Sequence, residues 1–218
     1  MSVITIERKV LEKNDQVAVR NRELFKERGI FVLNFVSSPG AGKTSILEKT
    51  FQELQGSMGV AVIEGDVQTD LDAQRVARYG VPVIQIVTLG GCHLDAGLVQ
   101  DALKNLDLNK VELLFIENVG NLVCPANYDL GEAIKVVILS TTEGDDKPLK
   151  YPAMFLNSSV LIINKVDLVP YARCNLNVLR SNALRINPAL KVFEMSCFTG
   201  AGVPEWCDWL RKKGASGQ

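Results

Sequence analysis

Lys43 and Thr44 stand near the end of the run Ser37-Ser38-Pro39-Gly40-Ala41-Gly42-Lys43-Thr44-Ser45, where small residues, an ammonium and a hydroxyl together suit a polyphosphate. Glycines allow backbone N–H groups to close on phosphate oxygens, the Lys43 ammonium reaches the β and γ oxygens, and the Thr44 hydroxyl helps hold Mg²⁺. Gly40, Ala41, Gly42, Lys43, Thr44 and Ser45 are the expected phosphate contacts, with Lys43 also serving catalysis. The run departs from the strict phosphate-loop pattern at Ser37, where the first glycine usually stands.

Further carboxylates and glycines follow at intervals that fit nucleotide hydrolysis. In Glu64-Gly65-Asp66-Val67-Gln68-Thr69-Asp70, Asp66 is a hard oxygen ligand for Mg²⁺, directly or through water, or a group that orients the attacking water. Asp70 is a second candidate or, with Thr69, a helix cap. In Glu117-Asn118-Val119-Gly120, Glu117 replaces the usual aspartate yet can hold a Mg²⁺-bound water, and Gly120 is the expected γ-phosphate sensor. Asn121 follows where some GTPases carry a glutamine, so turnover is expected to be slow until a partner or dimerisation accelerates it.

Asn164-Lys165-Val166-Asp167 has the spacing of guanine recognition. The Asp167 carboxylate can accept from the guanine N1–H and exocyclic amine, a pair adenine does not offer, while the Lys165 stem lies along the purine. Ser196 and Cys197, in Ser196-Cys197-Phe198-Thr199-Gly200, fall where a backbone N–H contacts the guanine oxygen. These matches in this order select GTP/GDP over adenine nucleotides.

A second chemistry accompanies the first. The only histidine, His93, follows Cys92 in a glycine-rich loop, and Cys124 lies in another loop four residues past Gly120. Two thiolates and an imidazole suit Zn²⁺ or Ni²⁺, with the fourth position open to water, Asp95 or a second subunit. If Gly120 shifts on hydrolysis, Cys124 moves with it, so nucleotide state and metal affinity are expected to be linked. Cys174 and Cys207 read as packing residues.

Seven apolar runs must position these loops, at about 30–37, 59–65, 82–88, 111–117, 134–140, 158–164 and 190–195. Helical patterns separate them, which predicts an α/β, doubly wound, mostly parallel sheet with ligands at the carboxyl ends of the strands. A charged helix is expected at about 8–28, its stripe formed by Val10, Val17 and Leu24, and the end from Lys212 reads as frayed. With 218 residues and 47% hydrophobic content, one domain over 1–218 is expected. A net charge of −1 gives no field for nucleic acid or an anionic membrane surface. Without an apolar leader or membrane span, the five cysteines read as thiols or metal ligands in the cytoplasm.

The combined motifs resemble the hydrogenase nickel-incorporation GTPases, the HypB family, over about residues 8–212. The carriers are the loop at 37–44, Glu64-Gly65-Asp66, Gly91-Cys92-His93-Leu94-Asp95, Glu117 to Pro125, Glu143 to Pro152 and Asn164 to Asp167. The resemblance implies a P-loop NTPase of the SIMIBI type that acts as a GTP-dependent homodimer. It implies nickel delivery to the [NiFe]-hydrogenase large-subunit precursor with a HypA-type nickel and zinc partner, through Cys92, His93 and Cys124 at the dimer interface. No Cys-rich motif before the first helix and no His-rich tract is present, so neither a separate N-terminal nickel site nor a storage role is expected. The alternatives are a urease-maturation-type nickel GTPase, a P-loop kinase or ATPase, and a non-catalytic nucleotide-gated metal-binding protein. In the segment from Glu143 to Pro152, Lys147 either reaches nucleotide or another subunit or belongs to a solvated charged loop.

Overall fold

The computed structural model describes residues 6–216. Its strands are β1 (Phe31–Ser37), β2 (Val60–Asp66), β3 (Val83–Val87), β4 (Leu113–Glu117), β5 (Ile134–Ser140), β6 (Val160–Asn164) and β7 (Lys191–Glu194). They form one seven-stranded sheet in the order β3-β2-β4-β1-β5-β6-β7. Every pairing is parallel, so each connection must cross a face of the sheet. Between β4 and β5 only the 3-10 turn Cys124–Asn127 stands, the other connections are α-helical, and one α-helix precedes β1 and another follows β7. The α-helices are α1 (Ile6–Arg28), α2 (Lys43–Leu54), α3 (Leu71–Ala77), α4 (Ala96–Leu103), α5 (Lys147–Lys150), α6 (Pro152–Leu156), α7 (Leu176–Ile186) and α8 (Val203–Ser216).

Alternation along the strands sends successive side chains to opposite layers. Leu33 and Phe35 of β1 pack with Phe115, Ile162 and Phe193 beneath Ile46 and Phe51 of α2 and Trp206 of α8. The intervening Val32 packs with Leu114 and Ile116 beneath Phe25 of α1 and Val99 of α4. Further along the second face, Val137 and Leu161 meet Phe155 of α6 and Leu179 of α7. Trp206 is fully buried, and its indole N–H donates to Thr50 Oγ1 at 3.0 Å, so its one polar atom is satisfied.

The stripe expected on α1 is only partly met: Val17 and Leu24 are half-buried, Leu24 packing beside Phe25, but they flank the buried face rather than form it. Val10 is 48% exposed, while the buried face runs Asn14, Ala18, Asn21 and Phe25. That spacing is correct for one helical face, but two of the four residues are amides, which a search for apolar periodicity passes over. Asn14 Nδ2 donates to Asp129 O at 2.8 Å, and its Oδ1 accepts from Ala96 N–H at 2.8 Å. Asn21 Nδ2 donates to Ala96 O at 2.9 Å and Leu130 O at 3.0 Å. The helix is thus pegged to two loops rather than merely laid on an apolar surface.

The fraying expected from Lys212 is also corrected, since α8 runs to Ser216 and the Lys213 ammonium lies 5.8 Å from the Phe31 ring centroid. Gly217 and Gln218 lie outside the described residues. Among the described residues no helix is long and apolar enough to cross a membrane.

Candidate nucleotide and metal site

The loop between β1 and α2 carries its curvature at glycines. Gly42 has φ 102°, and a Cβ there would also run into Asn164 Nδ2. The Lys43 ammonium donates to Ser37 Oγ at 3.1 Å, so the residue that breaks the motif supplies the lysine with an acceptor. Asn164 Nδ2 donates to Ala41 O at 3.0 Å and Lys165 Nζ to Gly40 O at 2.8 Å, which ties the segment after β6 to the phosphate loop. A cleft of about 440 Å³ opens there, lined by Gly40, Gly42, Lys43, Thr44, Ser45 and Lys165, with Asp66, Glu117 and Gly120 opposite. A Cβ on Gly120 would stand 3.1 Å from Pro39 atoms, so the loop after β4 packs directly on the phosphate loop.

Three charged lining residues are given no role by the sequence: Glu64, Asp72 and Arg75. Glu64 and Glu117 are paired across β2 and β4, and each is 2% exposed. Thr44 Oγ1 donates to Glu117 Oε1 at 2.9 Å, whereas Oε2 of Glu117 and Oε2 of Glu64 are buried without partners. Burial, then the neighbouring Glu117, pushes the Glu64 carboxyl up to about 8. Burial likewise pushes Glu117 to about 7, against the pull of Lys43 and the Thr44 hydroxyl. Oxygens of Glu64, Asp72 and Glu117 lie within 4.8 Å of one another. Two orphaned carboxylate oxygens beside a hydroxyl are a hard donor set that fits Mg²⁺. A carboxylate inside the apolar strand Val60-Ala61-Val62-Ile63-Glu64 was the available signal for Glu64.

Asp66 is engaged by its own turn, accepting from Val67 N–H and from the Thr69 hydroxyl and N–H. The Thr69 hydroxyl, more than the backbone donors, holds its carboxyl below the usual range. Asp70 is exposed at the start of α3 and makes no side-chain cap bond, so Asp72 takes the cleft position considered for it, and Thr69 serves Asp66 instead of the helix. Arg75 is held by Glu48 at 2.6 Å and Asp72 at 3.0 Å.

Beyond the cleft, Asp167 Oδ1 accepts from Ser196 Oγ at 2.5 Å, bringing the turns after β6 and β7 together. Lys165 takes φ 61°, and its carbonyl accepts from Thr141 Oγ1 at 2.7 Å. Cys197 is half-buried, and burial pushes its thiol up to about 11. The buried Asn164 Oδ1 has no partner. Lys147 lies 3.7 Å from Glu143 and 5.5 Å from the Tyr151 ring centroid, and Asp145 accepts from Asn175 N–H and Asn182 Nδ2. The segment from Glu143 is therefore docked on α7 rather than a loop free in solvent.

Cys92, His93 and Cys124 converge, with donor atoms within 4.8 Å of one another and Cys92 Sγ 3.5 Å from His93 Nδ1. The neighbouring Cys124, then burial, raises the Cys92 thiol, and burial lowers His93 against the pull of Asp95. Asp95, considered as a fourth ligand, instead caps α4, its Oδ1 accepting from Leu98 N–H at 2.8 Å. Asn121, considered beside the nucleotide, bridges the two loops: Nδ2 donates to Cys92 O at 3.3 Å and Oδ1 accepts from Val123 N–H at 2.8 Å. The Tyr128 ring lies on His93 with centroids 3.9 Å apart. Cys174 is half-buried and Cys207 fully buried, both as free thiols in packed clusters.

A family profile described as CobW/HypB/UreG, nucleotide-binding domain, matches residues 31–194. The hydrogenase maturation factor HypB of Rhizobium leguminosarum bv. viciae is 50% identical over 213 residues, covering 98% of this chain and 71% of that protein. The structure of HypB from Helicobacter pylori in complex with nickel superposes with a TM-score of 0.89 at 39% identity, over 93% of this chain and 95% of that one. The signal recognition particle receptor FtsY of Elizabethkingia anophelis, 13% identical with a TM-score of 0.56 over 91% of this chain and 72% of that one, shares the fold alone.

Proposed function

Because the chain belongs to the HypB hydrogenase maturation factors of the CobW/HypB/UreG family, we propose that it hydrolyses GTP and delivers nickel during maturation of [NiFe]-hydrogenase. The continuity of one short segment carries this reading: Glu117 and Gly120 line the cleft, and the same stretch ends at a thiol of the sulfur and imidazole cluster. One loop therefore meets both the nucleotide and the transported metal, which links their occupancies reciprocally.

In this reading the backbone of Gly40, Ala41, Gly42 and Ser45 cradles the phosphates, and Lys43 leaves Ser37 to neutralise β and γ oxygens. Thr44, Asp66 and Glu117, with Glu64 behind them, would hold Mg²⁺, which supplies charge neutralisation on the phosphates. Asp66 orients the attacking water, and Gly120 admits the γ-phosphate against Pro39. Asn164, Lys165 and Asp167 select guanine, with Ser196 and Cys197 closing its far edge. Cys92, His93 and Cys124 bind Ni²⁺ or Zn²⁺ as cargo. We infer that the active species is a homodimer joined at this cluster, acting in the cytoplasm as a single P-loop domain over 1–218. A HypA-type protein passes the metal onward toward the large-subunit precursor.

The test is a Ni²⁺ and Zn²⁺ titration of the protein loaded with GDP and with a non-hydrolysable GTP analogue, with molecular mass followed in the same samples. Different affinities in the two states are expected, and equal ones refute the linkage. Measurable GTP turnover that is lost in Lys43→Ala excludes a non-catalytic metal-binding protein.

A further inference from the structure

Asn118 touches three segments at once. Its Oδ1 accepts from Leu94 N–H and from Val119 N–H, both at 3.0 Å, and its Nδ2 donates to Asn34 Oδ1 at 3.2 Å. Leu94 follows His93, and Val119 precedes Gly120, so a single oxygen joins a metal loop to the loop that lines the phosphate cleft. Leu94 is fully buried against Gly65, where a Cβ would come within 2.8 Å of it.

The chain of contacts runs on beyond Asn118. Asn34 Nδ2 donates to Glu132 Oε1 at 3.1 Å, Glu132 Oε2 accepts from Leu130 N–H at 2.7 Å, and Lys135 Nζ lies 3.8 Å from Glu132. Lys135 is 7% exposed and donates to Pro125 O at 3.1 Å, Ala126 O at 3.0 Å and Tyr128 O at 2.9 Å. A lysine ammonium has three N–H donors, so all of them are used on the turn that starts at Cys124. Tyr128 in turn lies on His93. Nothing in the phosphate or metal chemistry requires a buried ammonium here, and desolvating one is unfavourable unless its hydrogen bonds serve the structure.

We propose that Asn118, Asn34, Glu132 and Lys135 are positioning residues that carry the nucleotide state to both metal-bearing loops. Movement of Val119 and Gly120 toward a γ-phosphate redirects the shared Asn118 oxygen and with it Leu94 and His93. The amide end of Asn118 passes the same displacement through Asn34 and Glu132 to the carbonyls that Lys135 gathers behind Cys124. Buried away from water, the members have few alternative partners, so the network moves as a unit. The inference rests on the metallochaperone reading above and names the linkage within it.

The test uses the full chain as wild type, Lys135→Met and Asn34→Leu, titrated with Ni²⁺ against a chromophoric chelator in the GDP and GTP-analogue states. The wild-type ratio of Ni²⁺ affinities is expected to be about tenfold, an ordinary size for a coupling, and to fall toward one in either variant while nucleotide affinity is kept. A merely structural role would weaken Ni²⁺ in both states equally and leave the ratio intact, and that result overturns the inference. A wild-type ratio of one overturns it together with the proposed linkage, whereas a ratio kept in both variants overturns this inference alone. Amide hydrogen exchange of the wild type decides the matter should the variants not fold. Leu94 and Val119 are expected to change protection together when GDP is replaced by the analogue, and a response of Val119 without Leu94 refutes the proposal.

Discussion

Glu64 has two neighbours that shape its behaviour, the apolar interior and Glu117, and they act in the same direction. With its carboxyl pushed up to about 8 from 4.5, the folded chain without nucleotide or metal binds a proton there that the unfolded chain has released. Stability from this group is complete below about pH 4.5 and is lost as pH rises through about 8. Urea denaturation in chelator at about pH 6 and about pH 8.5 should show wild type losing stability with rising pH and Glu64→Gln losing less; equal losses would count against it. The residues that were legible in the sequence are those whose type is tied to one chemistry. Motif spacing singles out Lys43, which lines the cleft, and Asp167, which lies beyond it against Ser196; donor type singles out Cys92, His93 and Cys124, which converge. Glu64, Asp72 and Arg75 were missed because a carboxylate or guanidinium acquires its role here only from what the strands and α3 bring beside it. Asn121 was misread for the same reason, its amide being turned toward the Cys92 loop.

Among the elements, the inner strands were readable because a strand buried on both faces is nearly continuous in apolar residues, while the half-buried edge strands β3 and β7 were readable from short apolar runs between helical patterns. Helix α1 was readable as a helix but not in its orientation, since Asn14 and Asn21 do the work usually left to leucines. Asn21 is 1% exposed and donates to two carbonyls, so Asn21→Leu leaves buried acceptors unpaired and is expected to cost about 1–3 kcal/mol. Val10→Ala, on the side the apolar pattern favoured but 48% exposed, should stay within about 0.5 kcal/mol. Urea melts of the two variants discriminate the faces, and a Val10→Ala loss equal to that of Asn21→Leu would contradict the packing described for α1.

For the whole molecule, the sheet order was not legible, because parallel strands with similar apolar runs can be arranged in several ways; what was legible is that the ligand loops share one end. Leu89 is 88% exposed and Val123 62%, and they flank Cys92 and Cys124 in the chain. Covering them is the natural office of the second copy in the proposed dimer. Leu89→Asp with Val123→Asp is expected to keep the mass at one chain in the presence of GTP analogue and Ni²⁺, with nucleotide affinity unchanged; a doubled mass would place the interface elsewhere. The asparagine pegs of α1 also bear on how the chain is made. Asn21 is separated from Ala96 by 75 residues and from Leu130 by 109, so its docking sites leave the ribosome later than the helix itself. At common elongation rates the wait is roughly 5–20 s. A face on which two of four buried residues are amides stays partly hydrated through that interval, where a face of leucines would offer nascent α1 to any passing apolar surface.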